Sequence, residues 1–142
     1  MIEFVREACR ILTQATTATE AAKRLGTVEV DYGGALQIVL RPREPAFMRA
    51  EVMRAPGGEE PYAIELVPAD ERVLSVAALG AAFGAYATSA SEGPGAPPQI
   101  VFGTVFRARP GLSCALVVEV LPGSRGIDDG TARKLLLRRD HG

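Results

Sequence analysis

Glu51, Glu65 and Glu119 sit in three separate strand-like stretches and are the residues whose type and spacing could do chemistry. Carboxylates held close together push their pKa values apart, so that one can give a proton while the other stays ionised. Arg49 and Arg107 fall on the same expected face, however, and opposite charges facing each other across strands are ordinary sheet chemistry. Charge pairing is therefore the expectation. The sole histidine is His141, the penultimate residue. A His-dependent triad or a His-based metal site has no support in the body of the chain. Cys9 has no histidine beside it to serve as a base, so a thiolate nucleophile is not indicated. Asp128-Asp129, in SRGIDDG, offers two adjacent carboxylates, short of the roughly 6–8 oxygens that calcium takes. Gly80-x-x-x-Gly84 lacks the GK[ST] ending of a phosphate loop and is expected to allow close helix packing. No metal and no cofactor are expected.

The bulk of the chain narrows the field further. A length of 142 residues suits a single domain spanning 1–142, with 47% hydrophobic and 23% charged residues sufficient for a packed core. The net charge is −1, from 16 basic and 17 acidic residues. That balance gives nucleic acid or an anionic membrane no strongly basic field to bind. The densest basic cluster, Arg133-Lys134 and Arg138-Arg139, has no aromatic side chains within it and lies among Asp128, Asp129 and Asp140. No apolar run reaches the ~18 residues of a membrane span. Glu3, Arg6, Glu7 and Arg10 interrupt any signal-peptide core, which leads to the expectation of a cytoplasmic protein with reduced thiols. Cys9 and Cys114 are then expected to act as small apolar fillers, with a disulfide between them as the lesser alternative.

These residues need elements to place them. Phe4, Ala8, Ile11, Ala15, Ala18, Ala22 and Leu25 form one helical stripe. Gly26 is expected as a left-handed cap. Thr17-Ala18-Thr19-Glu20 matches a capping box and predicts a kink or restart near Thr16. Strands are expected at Thr27–Tyr32, Leu36–Arg41, Ala46–Arg54 and Tyr62–Val67, then a helix from about Ser75 to Phe83. A breaker-rich loop, Thr88–Pro98, precedes strands Gln99–Arg107 and Leu112–Leu121. Leu121–Gly130 reads as a loop, and Ala132–Arg139 as a strand, although a short helix fits nearly as well. The expected fold is α+β: an antiparallel sheet of about six or seven strands with two helices packed on one face, in the order α-ββββ-α-βββ. A helix-plus-meander unit is faintly used twice, without an alignable repeat. The element order is broadly similar to that of small type III secretion chaperones, which dimerise and bind unfolded cargo segments. The likeness carries no motif, and the LLLRR segment departs from their third helix.

Strand alternation sorts the two sides of this sheet. Positions such as Val28, Val30, Leu36, Ile38, Leu40, Met48, Leu116 and Val118 are expected to face the helices. The opposite side would carry Val39, Phe47, Arg49, Glu51, Met53, Arg107 and Glu119, with Val67, Val101, Val105 and Val117 among them. Aromatic, Met and Arg side chains interleaved with charge resemble the core of a protein interface. The leading expectation is a non-catalytic interaction module of chaperone, immunity or assembly type, binding a protein partner or itself through this face or a strand edge. One alternative is a small apolar ligand held between sheet and helices, with room left by Ala77, Ala78, Ala81 and Ala82 and Thr88–Pro98 as a lid. A second is a carboxylate-based enzyme using Glu51 and Glu119.

Overall fold

The apolar stripe of the N-terminus forms two helices, α1 (Ile2–Gln14) and α2 (Ala18–Leu25), in a computed structural model that describes residues 1–34, 36–89 and 95–141. The break follows from the threonines. Thr17 accepts a hydrogen bond from the Glu20 amide at 3.0 Å, while the Glu20 carboxylate accepts from the Thr16 amide and hydroxyl at 3.0 Å each. Those two bonds, the amide's first, hold the Glu20 carboxyl below its ordinary pKa. Both helices keep the stripe: Ala15 and Ala18, either side of the break, are buried.

Gly26 ends α2 in an extended conformation, φ 169°, and not in the expected left-handed one. Its reason is space. A Cβ there would stand 2.0 Å from the Arg41 carbonyl oxygen on the neighbouring strand. Eight strands follow: β1 (Gly26–Asp31), β2 (Ile38–Pro42), β3 (Phe47–Arg54), β4 (Pro61–Pro68), β5 (Ala87–Ser89), β6 (Gln99–Arg109), β7 (Leu112–Gly123) and β8 (Gly126–Asp140), with α3 (Val76–Phe83) between β4 and β5. The described fold therefore has three helices and eight strands, one more helix than expected, and the order α-α-ββββ-α-ββββ. They make one antiparallel sheet in the order β1-β2-β3-β4-β8-β7-β6-β5. Two four-stranded meanders thus meet at their last strands, β4 against β8, through Ala63–Leu66 and Leu135–Arg138. No helix among the described residues is long and apolar enough to cross a membrane.

The segment expected as a loop, Leu121–Gly130, is instead the β7–β8 hairpin. Asp129 organises its turn, accepting from the Arg125 amide at 3.1 Å and the Ser124 hydroxyl at 3.3 Å, and Gly126 takes φ 119°. Asp128 accepts from the Tyr86 hydroxyl. Of Thr88–Pro98, the first two residues belong to β5 and 90–94 lie outside the described residues.

All three helices and one side of the sheet bury a single cluster, to which Ile38, Leu40, Ile64, Leu66, Leu116, Val118, Leu135 and Leu137 contribute. Two bulges overturn the expected sorting. The pairing of β3 with β4 shifts between Phe47 and Arg49, so Phe47 turns into the core (1% exposed) against the Phe4 ring at 5.6 Å, and Met48 turns out (51% exposed). A bulge between Val28 and Val30 exposes Val30; Leu36 is also exposed. Cys9 and Cys114, both fully buried, form a disulfide with Cα atoms 5.6 Å apart. The expectation of separate reduced fillers fails because α1 crosses β7 at a core-facing position of each element. Gly80 makes no close packing, since nothing lies within 4 Å of where its Cβ would be.

Candidate functional site

The face of the sheet away from the buried cluster can be followed residue by residue in register. One row runs Val39, Glu51, Glu65, Leu136, Val117, Val101, Ala87, crossing β2, β3, β4, β8, β7, β6 and β5. The adjacent row holds Arg49 opposite Val67, and Lys134 opposite Glu119, which in turn faces Gln99. On the other side of the first row lie Met53, Ala63, Arg138, Ala115 and Thr104. Apart from the exposed Ala87, the apolar members of the first row are only half-buried, as are Met53 and Val67.

Four ion pairs tie up charge on this side of the molecule. Arg49 meets Glu51 at 3.0 Å, Lys134 meets Glu65 at 3.6 Å, Arg133 meets Glu119 at 3.8 Å and Arg138 meets Asp140 at 3.6 Å. Gln37 also donates to Glu51 at 3.4 Å. Glu65 is the perturbed member. Burial pushes its carboxyl above the ordinary range, Lys134 pulls it back, and the facing Glu51 pushes it up again. Glu51 and Glu119 are separated by β4 and β8, three strand spacings or roughly 14 Å, so the structure does not bring that pair together. Each of the three glutamates has its own cation, which is charge pairing in the expected sense, although with Lys134 and Arg133 in place of Arg107.

Of the residues expected on this face, Val39, Arg49, Glu51, Met53, Arg107 and Glu119 are on it. Phe47 is not; it belongs to the core. Arg107 lies opposite Ser113, six residues along β7 from Glu119 and so about 20 Å away. Leu136 and Lys134 were not anticipated there. Leu135-Leu136-Leu137 has no alternation to read, so sequence alone cannot say which leucine points out.

Two clefts lie outside the helix–sheet layer. One of about 780 Å³ opens where β4 and β8 diverge past Leu66 and Leu135, and Met48, Val73 and Leu121 line it. A smaller one of about 210 Å³ sits on the open face between Glu65, Val117 and Leu136. Of the alanines expected to leave room beneath α3, Ala77, Ala78 and Ala81 are exposed and Ala82 is half-buried. The strand edges are blunted: β1 carries a bulge with exposed Glu29 and Asp31, and β5 spans three of the described residues. No known protein family, curated protein or solved structure matches this chain.

Proposed function

We propose that this protein is a non-catalytic interaction module whose uncovered sheet face takes another protein surface, in the first instance a second copy of the same chain. The observation that carries the reading is the strip Leu136, Val117 and Val101. These three are in register on adjacent strands, half-buried, on the side away from all three helices. Ion pairs rim the strip, and an apolar centre with a polar rim is how interfaces are built. Eight strands at ~4.8 Å spacing give a face about 34 Å across, enough for the ~800 Å² per partner of a standard interface. A second copy is favoured because the charges bordering the strip, Glu65 with Lys134 and Glu119 with Arg133, are paired off locally, so two such strips do not repel as fields of one sign would. The edges are less suited than the face for the reasons given above.

Sedimentation velocity over a concentration series, with wild type beside Leu136→Asp and Val117→Asp, tests the reading. Wild type is expected to form a concentration-dependent dimer. Each aspartate variant is expected to stay monomeric with an unchanged far-UV spectrum. Wild type that remains monomeric throughout, and that captures from its host extract only what Leu136→Asp also captures, would sink the proposal.

A further inference from the structure

We infer that Cys9–Cys114 is a permanent structural cross-link, made while the chain folds and carried by the working protein, which therefore matures outside a reducing cytosol. This goes beyond the docking proposal and does not depend on it. The chain has only two cysteines, so no other pairing competes within one molecule. They lie 105 positions apart, on the first helix and a central strand, and each is fully buried in the main core cluster. Sulfur atoms with no exposed surface cannot be attacked by an external thiolate while α1 stays docked. Exchange in either direction must wait for the helix to leave the sheet.

The bond must accordingly form before the core closes. One cysteine thiolate attacks the disulfide of an oxidising dithiol/disulfide oxidoreductase, and that catalyst's first thiol leaves. The second cysteine thiolate then attacks the mixed disulfide and releases the catalyst as a dithiol. The two protons given up by the cysteine thiols are matched by the two taken up by the catalyst's thiolates, and two electrons pass to the catalyst, so the step balances. Compartments that supply such a catalyst are the oxidising ones, and stable buried disulfides are rare where thiols are kept reduced. The expectation of a cytoplasmic protein, drawn from the charged N-terminus, is thus opposed by a feature of the fold.

A closed loop of this length also means that the cross-link restrains the unfolded chain strongly. Three measurements decide the matter. Cells of the native host are quenched in denaturing acid and the protein is alkylated with a polyethylene-glycol maleimide. No adduct is expected before reduction and two after it; two adducts without reduction would overturn the inference. The purified oxidised protein is then exposed to millimolar dithiothreitol. Its disulfide is expected to survive under native conditions and to be lost once denaturant is added; equally fast loss in both would show that the bond is not sealed. Finally, the Cys9→Ala/Cys114→Ala double variant is expected to melt on the order of 10 °C below the oxidised wild type. An unchanged Tm would mean that the bond contributes nothing to the fold.

Discussion

Phe47 and Met48 show how one backbone residue decides what a side chain is for. Strict alternation places Phe47 outside and Met48 inside; the bulge before Arg49 exchanges them, and no residue type in FMRA announces it. Phe47→Asp is expected to destabilise by about 4 kcal/mol or more, because it buries a carboxylate against Phe4. Met48→Asp, exposed, is expected within about 0.5 kcal/mol of wild type. Denaturant melts of the two variants check this, and the reverse order would mean that the bulge is absent. Glu65 was legible as a charged residue on the open face, while its perturbation was not, since that depends on burial and on Glu51 opposite. Its folded pKa lies above its unfolded one, so the native state holds the proton to higher pH. Stability is therefore level below the ordinary glutamate pKa, falls as pH rises from there through the folded value, and is level again beyond it. Glu65→Gln is expected to flatten the stability curve across that window, as read from thermal melts at closely spaced pH. A curve that keeps its slope would assign the effect to another group.

The elements themselves were largely readable. Thr17 and Glu20 mark the helix restart, Ser75 caps α3 with its hydroxyl accepting from the Ala78 amide at 3.0 Å, and Gly33-Gly34 joins β1 to β2. What failed were features set by contacts that residue type does not announce, local or tertiary. The β7–β8 hairpin hides in a sequence rich in Gly and Asp because Asp129 folds back on its own turn, and β5 is held by pairing with β6 alone among the strands. Glycines separate the two kinds of information. Gly26 and Gly80 look alike in sequence, yet Gly26 allows Arg41 to approach while Gly80 lies in open space within α3. Gly26→Ala is expected to cost about 3 kcal/mol or more, since β1 and β2 must part to admit the methyl group. Gly80→Ala is expected to stabilise by about 0.5–1 kcal/mol through helix propensity. Equal effects from the two substitutions, measured by urea titration, would refute this assignment.

Taken whole, the molecule joins two helix-capped meanders through their fourth strands, antiparallel, which is the arrangement a two-fold relation between them would produce. That seam uses up one edge of each meander. The edges left over are the short β5 and the bulged, acidic β1, so growth of the sheet sideways is discouraged and contact through the open face remains. The central strands β4, β7 and β8 serve both sides at once: Leu116 and Val118 point into the core, Val117 between them points out. A partner on that face would rest on the most constrained part of the fold. Because Arg49, Arg133, Lys134 and Arg138 are each within ion-pair distance of a neighbouring carboxylate, the face offers little unpaired field to a distant charge. Raising salt from about 0.01 M to about 1 M shrinks the Debye length from ~30 Å to ~3 Å. Apolar association survives that change, whereas attraction between opposite fields does not. For the proposed dimer, the dissociation constant is therefore expected to rise by no more than about threefold over this range. A weakening of about a hundredfold, followed by sedimentation equilibrium, would identify a charge-driven contact and move the interface away from the Leu136–Val117–Val101 strip.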